Sequence, residues 1–224
     1  MRRFVRENSL SLFFLGLFVL ALAGQSIAGY HLYNQEQMEH EGPTIDYARY
    51  LLSSDFGANV LENWQSEWLQ FWLFALATVW LYQKGSNESK TEENLGLETD
   101  EEQRVGAHAP KDAPRWARLR DWRLTVYSYS FTIVMGVIFL ATWLGQSLAS
   151  WSLLNDELVQ HGEPEISWGT YVTSPDFWDR SLQNWQSEFL AVGTMAVFTI
   201  YLRQRGSPES KPVGAPHTET GSSG

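Results

Sequence analysis

Asn63-Trp64-Gln65-Ser66-Glu67 stands in this chain twice, the second time as Asn184-Trp185-Gln186-Ser187-Glu188, at an offset of 121 residues. The offset holds without insertion or deletion between residues 7–90 and residues 128–211, and roughly thirty of the aligned positions are identical. Shared composition alone would give far fewer, so the chain reads as a tandem duplication. Gly24-Gln25-Ser26 returns as Gly145-Gln146-Ser147, and Gly85-Ser86 with Glu88-Ser89-Lys90 returns as Gly206-Ser207 with Glu209-Ser210-Lys211. Most of what both copies keep is polar.

The slightly negative mean hydropathy hides four apolar blocks, Leu10 to Ala28, Trp68 to Tyr82, Tyr129 to Ala149 and Phe189 to Leu202. The first and third reach the roughly 20 residues that a helix needs to cross a hydrocarbon core, whereas the second and fourth fall short and must borrow polar neighbours. The expected fold is therefore all-α, a four-helix transmembrane bundle made of two tandem two-helix repeats. Its expected divisions are a first repeat at 1–90, a disordered cytoplasmic linker at 91–121, a second repeat at 122–211 and a disordered tail at 212–224. Arg2, Arg3 and Arg6 ahead of an apolar run imitate a cleavable signal peptide. The equivalent segment from Ser130 to Ala149 lies in mid-chain, so both read as retained helices.

Of the 16 Lys and Arg residues, all but Arg49 and Arg180 fall in the N-terminal segment, the linker or the tail, which places both termini in the cytoplasm. The two repeats then share one orientation, related by a pseudo-two-fold axis along the membrane normal. The first crossing is expected to run on to Pro43 and the second to begin near Asp55, with Ser174-Pro175-Asp176 as N-cap, first helical residue and first-turn acid. A net charge of -10 argues against nucleic-acid binding, and the absence of cysteine excludes a thiol nucleophile or thiolate metal site. No nucleophile elbow, phosphate loop, dinucleotide fingerprint or zinc-protease motif occurs, so acyl, phosphoryl and hydride transfer have no support.

Two polar clusters remain. Gln25, Ser26, Asn63, Ser66 and Glu67, repeated as Gln146, Ser147, Asn184, Ser187 and Glu188, fall near one depth in the outer half of the membrane, with Gln70 on the same helix face. They form a candidate ligand or proton site, because an ionisable group at that depth normally faces protein or water. The competing reading is interhelical hydrogen bonding, with Gly24 and Gly145 allowing close approach. Beyond the membrane, Glu36 and His40 recur as Glu157 and His161, four residues apart on one helix face. Two carboxylates and two imidazoles are a candidate divalent-metal site, although each histidine also suits a helix C-terminus ahead of Pro43 or Pro164.

Tyr33-Asn34, His40, Pro43, the repeated pentad and the Gly-Ser-x-Glu-Ser-Lys ends together resemble an uncharacterised family of bacterial integral membrane proteins, classed as a domain of unknown function. The resemblance implies a multi-pass protein of the bacterial inner membrane with four crossings, and it supplies no activity. The expected role is non-enzymatic, structural or binding a small ligand or ion, with the lipid bilayer and a second copy of the chain as partners. The alternatives are a metal-dependent membrane enzyme ligated by Glu36, His40, Glu157 and His161, or a small oligomeric transporter.

Overall fold

In the computed structural model, which describes residues 2–221, helix α1 (Arg2–Glu7) leads into α2 (Ser9–Glu39), followed by the short α3 (Tyr47–Leu51) and by α4 (Ser54–Trp80). The second half repeats this order with α5 (Trp122–Ser128), α6 (Ser130–Gln160), the short α7 (Trp168–Tyr171) and α8 (Pro175–Tyr201). Among the described residues there are eight α-helices and no strand. The chain is all-α. Two helices, α2 and α6, are long and apolar enough to cross a membrane, while α4 and α8 carry polar and charged residues through their first turns.

Residues 91–121, the expected disordered linker, carry short 3-10 turns at Glu92–Asn94, Gly106–His108 and Trp116–Arg118. Helix starts follow their caps. The Ser174 hydroxyl accepts from the Phe177 amide with Pro175 in the first turn, and Ser53 does the same for Phe56 at 3.2 Å.

The chain divides into two compact units. One comprises the chain up to Val60 together with Gly145–Trp168; the other comprises Leu61–Leu144 and the chain from Gly169 onward.

In the first unit, α3 is held to α2 by residues that the sequence repeats. Asn34 donates to the Ile45 carbonyl at 3.0 Å and accepts from the Ile45 amide at 2.8 Å. Asn155 and Ile166 make the same pair of bonds at 3.1 and 2.9 Å. An asparagine satisfied on both sides, half-buried in the first copy and buried in the second, fixes the return of the chain after the turn. Tyr50 is 1% exposed, ringed by Tyr30, Tyr33 and Phe56, with its hydroxyl over Gly29, where a β-carbon would collide. Small residues also let α4 approach α6: Gly57 faces Ala149, and the Ser54 hydroxyl donates to Ser152 at 2.9 Å.

In the second unit an aromatic column supplies the core. Trp72 stacks on Phe139, Phe139 on Trp143, and Trp143 on Phe177, with centroids 5.6 to 5.8 Å apart. The column links α4, α6 and α8, and the Trp143 indole donates to the Ser181 hydroxyl at 3.1 Å. Gly136 makes room for it, since a β-carbon there would lie 2.9 Å from the Trp72 indole nitrogen.

Both copies of the Gly-Ser-x-Glu-Ser-Lys sequence fold alike. Ser89 and Ser210 accept from the amides of Gln83 and Gln204 at 3.0 and 2.8 Å, and Gly85 and Gly206 take left-handed φ of 84° and 82°. The glycines thus make this turn rather than the helix C-cap, because α4 and α8 already end at Trp80 and Tyr201. Lys211 is 1% exposed and donates to the carbonyls of Gly85, Pro216, His217 and Glu219 at 2.7 to 3.2 Å. Burial pushes its ammonium group below the usual lysine range.

At the end of α2 the backbone turns through a left-handed residue, which in the first copy is Glu41 (φ 58°) and in the second is Gly162 (φ 74°). A side chain is disfavoured there by about 1–2 kcal/mol. Glu41→Gly is therefore expected to raise unfolding stability by up to about 1 kcal/mol, measured by denaturant titration in detergent, whereas Gly162→Glu is expected to lower it.

Candidate functional site

Where the last turns of α2 and α6 meet the start of α4, the first unit contains an open cavity of about 460 Å3. Glu36, Glu39, Asp55, Asp156 and Glu157 line it, with His40, His161 and Tyr33, and none of its lining residues is Lys or Arg. Five carboxylates in one concave surface give it a negative potential. The Glu-to-His pairs of both copies, singled out separately by their spacing, thus share one pocket.

Each histidine is oriented by its own helix. The Nδ1 atoms of His40 and His161 lie 2.9 and 2.8 Å from the carbonyls of Glu36 and Glu157. A carbonyl only accepts, so Nδ1 carries the proton in both, leaving Nε2 available to a ligand or a second proton. Among the described residues no three His, Asp or Glu side chains converge closely enough to hold a metal ion. The four expected metal residues share a cavity but not a coordination sphere.

Asp55 accepts a hydrogen bond from Tyr50, and the Tyr171 hydroxyl repeats the contact on Asp176 at 3.1 Å. Burial, then the Asp55 charge and the bond itself, push the Tyr50 hydroxyl up to about 12.

The second unit holds the pentad residues of the other expected cluster, while Gln25, Ser26, Gln146 and Ser147 belong to the first unit. A polar stripe on α4 faces one on α8. The Trp185 indole donates to Gln65 Oε1 at 2.8 Å and the Asn184 amide to Glu62 Oε1 at 3.0 Å. Ser66 Oγ lies 3.4 Å from Glu188 Oε1, and the Gln70 amide 3.4 Å from the Glu188 carbonyl. Arg180 reaches Glu62 at 3.5 Å and Asp176 at 3.2 Å.

The two pentads present different faces. Gln65 and Ser66 are buried while Gln186 and Ser187 are exposed; Asn184 and Glu188 are half-buried while Asn63 and Glu67 are exposed. Glu62 and Arg180, and within the pentads Gln65 and Trp185, belong to this seam although none of them is among the expected site residues. Arg180 did carry a signal, as one of only two basic residues outside the termini and the linker.

The serines of the Gly-Gln-Ser motifs turn to the short helices. Ser26 Oγ lies 2.6 Å from the Tyr47 hydroxyl, and Ser147 Oγ accepts from the Trp168 indole at 3.1 Å. Gln25 is exposed. Gln146 is fully buried with neither amide atom hydrogen-bonded, and Ser150, one turn later on α6, is also buried without a partner.

A third polar group, after the ends of α4 and α8, is built on the repeated Gly-Ser-x-Glu-Ser-Lys stretches, to which the sequence assigned no site. The Asn87 amide donates to the Pro208 carbonyl at 3.3 Å, and Ser86 lies 3.2 Å from Thr199. Burial, and then the charge of Glu209, raise the Glu88 carboxyl above the ordinary range. Glu88 also lines an apolar crevice of about 180 Å3 with Gln70, Phe74 and Met195.

Two outcomes follow. Gln146→Leu removes an unsatisfied buried amide, so it is expected to raise unfolding stability by about 1 kcal/mol in a denaturant titration. For Tyr50, a folded pKa of about 12 lies above the unfolded value of about 10. Its stabilising contribution is complete below pH 10 and is lost as the pH rises towards 12, so Tyr50→Phe is expected to flatten that alkaline limb in a stability–pH profile.

A family model described as "Domain of unknown function (DUF6766)" matches residues 1–222, and the chain belongs to that family. No curated protein and no solved structure matches it.

Proposed function

We propose that this chain is a four-crossing membrane protein of the bacterial inner membrane, with both termini in the cytoplasm, that binds a small organic cation in the acidic pocket of its first unit without catalysing a reaction. Support for the membrane begins with α2 and α6, which are long and apolar enough to cross it. Many of their apolar side chains also point away from the protein: Phe13 is 60% exposed, Leu20 71% and Val137 61%. An apolar surface of this extent is costly in water and favourable in lipid. Because α6 lies in mid-chain, a cleaved leader does not explain it.

Helices α4 and α8, with 27 residues each, are about 40 Å long, enough to span the core and carry their polar first turns beyond it. Lys and Arg concentrated in the N-terminal segment, linker and tail orient the chain. The acidic pocket, built from the last turns of α2 and α6, then faces outward.

The observation that carries the binding reading is the pocket lining: five carboxylates and two imidazoles drawn from both copies, with neither Lys nor Arg among the lining residues. The carboxylates are distributed around about 460 Å3 rather than gathered at one point. That distribution suits a ligand with separated ammonium groups better than one directly ligated metal ion.

The test is thermal unfolding of detergent-purified protein titrated with spermidine at constant ionic strength. Spermidine is expected to raise Tm saturably, and Glu36→Gln with Glu157→Gln to abolish most of the rise. Stoichiometric Zn2+ or Mg2+ binding with no response to spermidine would replace the organic cation by a metal. No response to any of the three would end the binding reading.

A further inference from the structure

Ahead of its third apolar block the chain sorts its charge. Residues 92–102 hold six acids and no base, whereas residues 104–123 hold six bases and only the acids Asp112 and Asp121. The basic part is anchored to the helix that follows it. The 3-10 turn at Trp116–Arg118 packs against α5 with Ala117 buried, and the Arg118 guanidinium donates to the Lys111 carbonyl at 3.2 Å. Arg123 pairs with Asp121 at 2.8 Å, but Arg115 and Arg120, both exposed, make no hydrogen bond or ion pair among the described residues. Helix α5 passes into α6 with its bonding register kept: the Tyr129 amide donates to the Thr125 carbonyl at 3.2 Å, and the Ile133 amide to the Tyr129 carbonyl at 2.9 Å. Trp122, Val126, Tyr129 and Ile133, spaced four, three and four apart, therefore share one face, and all four are exposed. Val137 extends this stripe along α6.

We infer that this stretch is a docking surface for anionic phospholipid, with Trp122 and Tyr129 seated at headgroup level and Arg115, Arg118 and Arg120 supplying the positive charge that meets the headgroups. The occupant is a lipid because the stripe runs without a break onto the exposed apolar face of α6, so whatever covers the one covers the other; this rests on the membrane reading of α6. It is an anionic lipid because the stretch stays positive in a chain of net charge -10, with two guanidinium groups that no carboxylate neutralises. Basic residues orient a crossing wherever they fall near its end. In this stretch they are interleaved with the exposed Trp116 and Trp122, whose rings favour the headgroup level and so hold the charges at the depth of the phosphates.

Because the chain has no cysteine, Thr125→Cys, exposed on the margin of the stripe, gives a single labelling site. The full chain carrying a bimane fluorophore there is reconstituted into phosphatidylcholine vesicles doped with spin-labelled phosphatidylglycerol or, at equal mole fraction, with spin-labelled phosphatidylcholine. Quenching is expected to show phosphatidylglycerol associating at least about two-fold more strongly. High salt is expected to weaken that preference, and Arg115→Gln, Arg118→Gln and Arg120→Gln together to remove most of it. Equal quenching by the two lipids, or a preference that the triple variant retains, overturns the inference and leaves the membrane reading intact. Quenching by neither lipid places the stretch outside the bilayer and overturns both.

Discussion

A helix turning every 3.6 residues cannot present all five side chains of Asn-Trp-Gln-Ser-Glu to one neighbour, and the arrangement of α4 and α8 follows from that limit. The pentad splits into two faces, one carrying the Gln and Ser, the other the Asn, Trp and Glu. Pairing one face of the first copy with the opposite face of the second joins an amide acceptor to an indole donor, Gln65 to Trp185, at 2.8 Å. Like-with-like pairing would set amide against amide and leave both indoles without the acceptor that the seam supplies. Duplication thus provides two complementary surfaces from one sequence, and the later divergence of Glu62 from Gln183 adds an ion pair to one side only. That ion pair is long and partly exposed, so its contribution to stability is small.

The Gly-Gln-Ser motif obeys a different requirement. After each long helix the chain must turn back without leaving backbone groups unsatisfied, and Ser26, Asn34, Ser147 and Asn155 each bond to the returning segment. Tyr50 and Tyr171 then tie the short helices to the first turns of α4 and α8 through Asp55 and Asp176. In the first unit these ties fix the rim of the acidic pocket, since Asp55 both receives the tyrosine and lines the cavity. The pocket is in this sense a by-product of folding the loop: the residues that end the long helices are the ones left facing it.

Much of this was legible in the sequence because helical periodicity, caps and repetition are local properties. The cap at Ser174 and the sharing of one face by Glu36 and His40 follow from spacing alone, whereas α2 ends at Glu39, short of the expected stop at Pro43. The choice of faces was not legible. An exact repeat implies equivalent environments, yet Gln25 is exposed where Gln146 is buried, and Ser187 is exposed where Ser66 is buried. Only the packing of neighbours breaks that symmetry, and no residue within the pentads announces it. The roles of Glu62 and Lys211 were hidden for a related reason: each depends on contacts more than a hundred residues away, or on backbone carbonyls that the sequence does not single out.

The unlike-face pairing of α4 and α8 is tested most directly by a double-mutant cycle on Gln65→Leu and Trp185→Phe, with unfolding free energies measured in one detergent. The account predicts a coupling of about 1 kcal/mol for this pair and none for Gln65 with Gln186, the pair that like-with-like packing would bring together. Coupling between Gln65 and Gln186, with independence of Gln65 and Trp185, would contradict it.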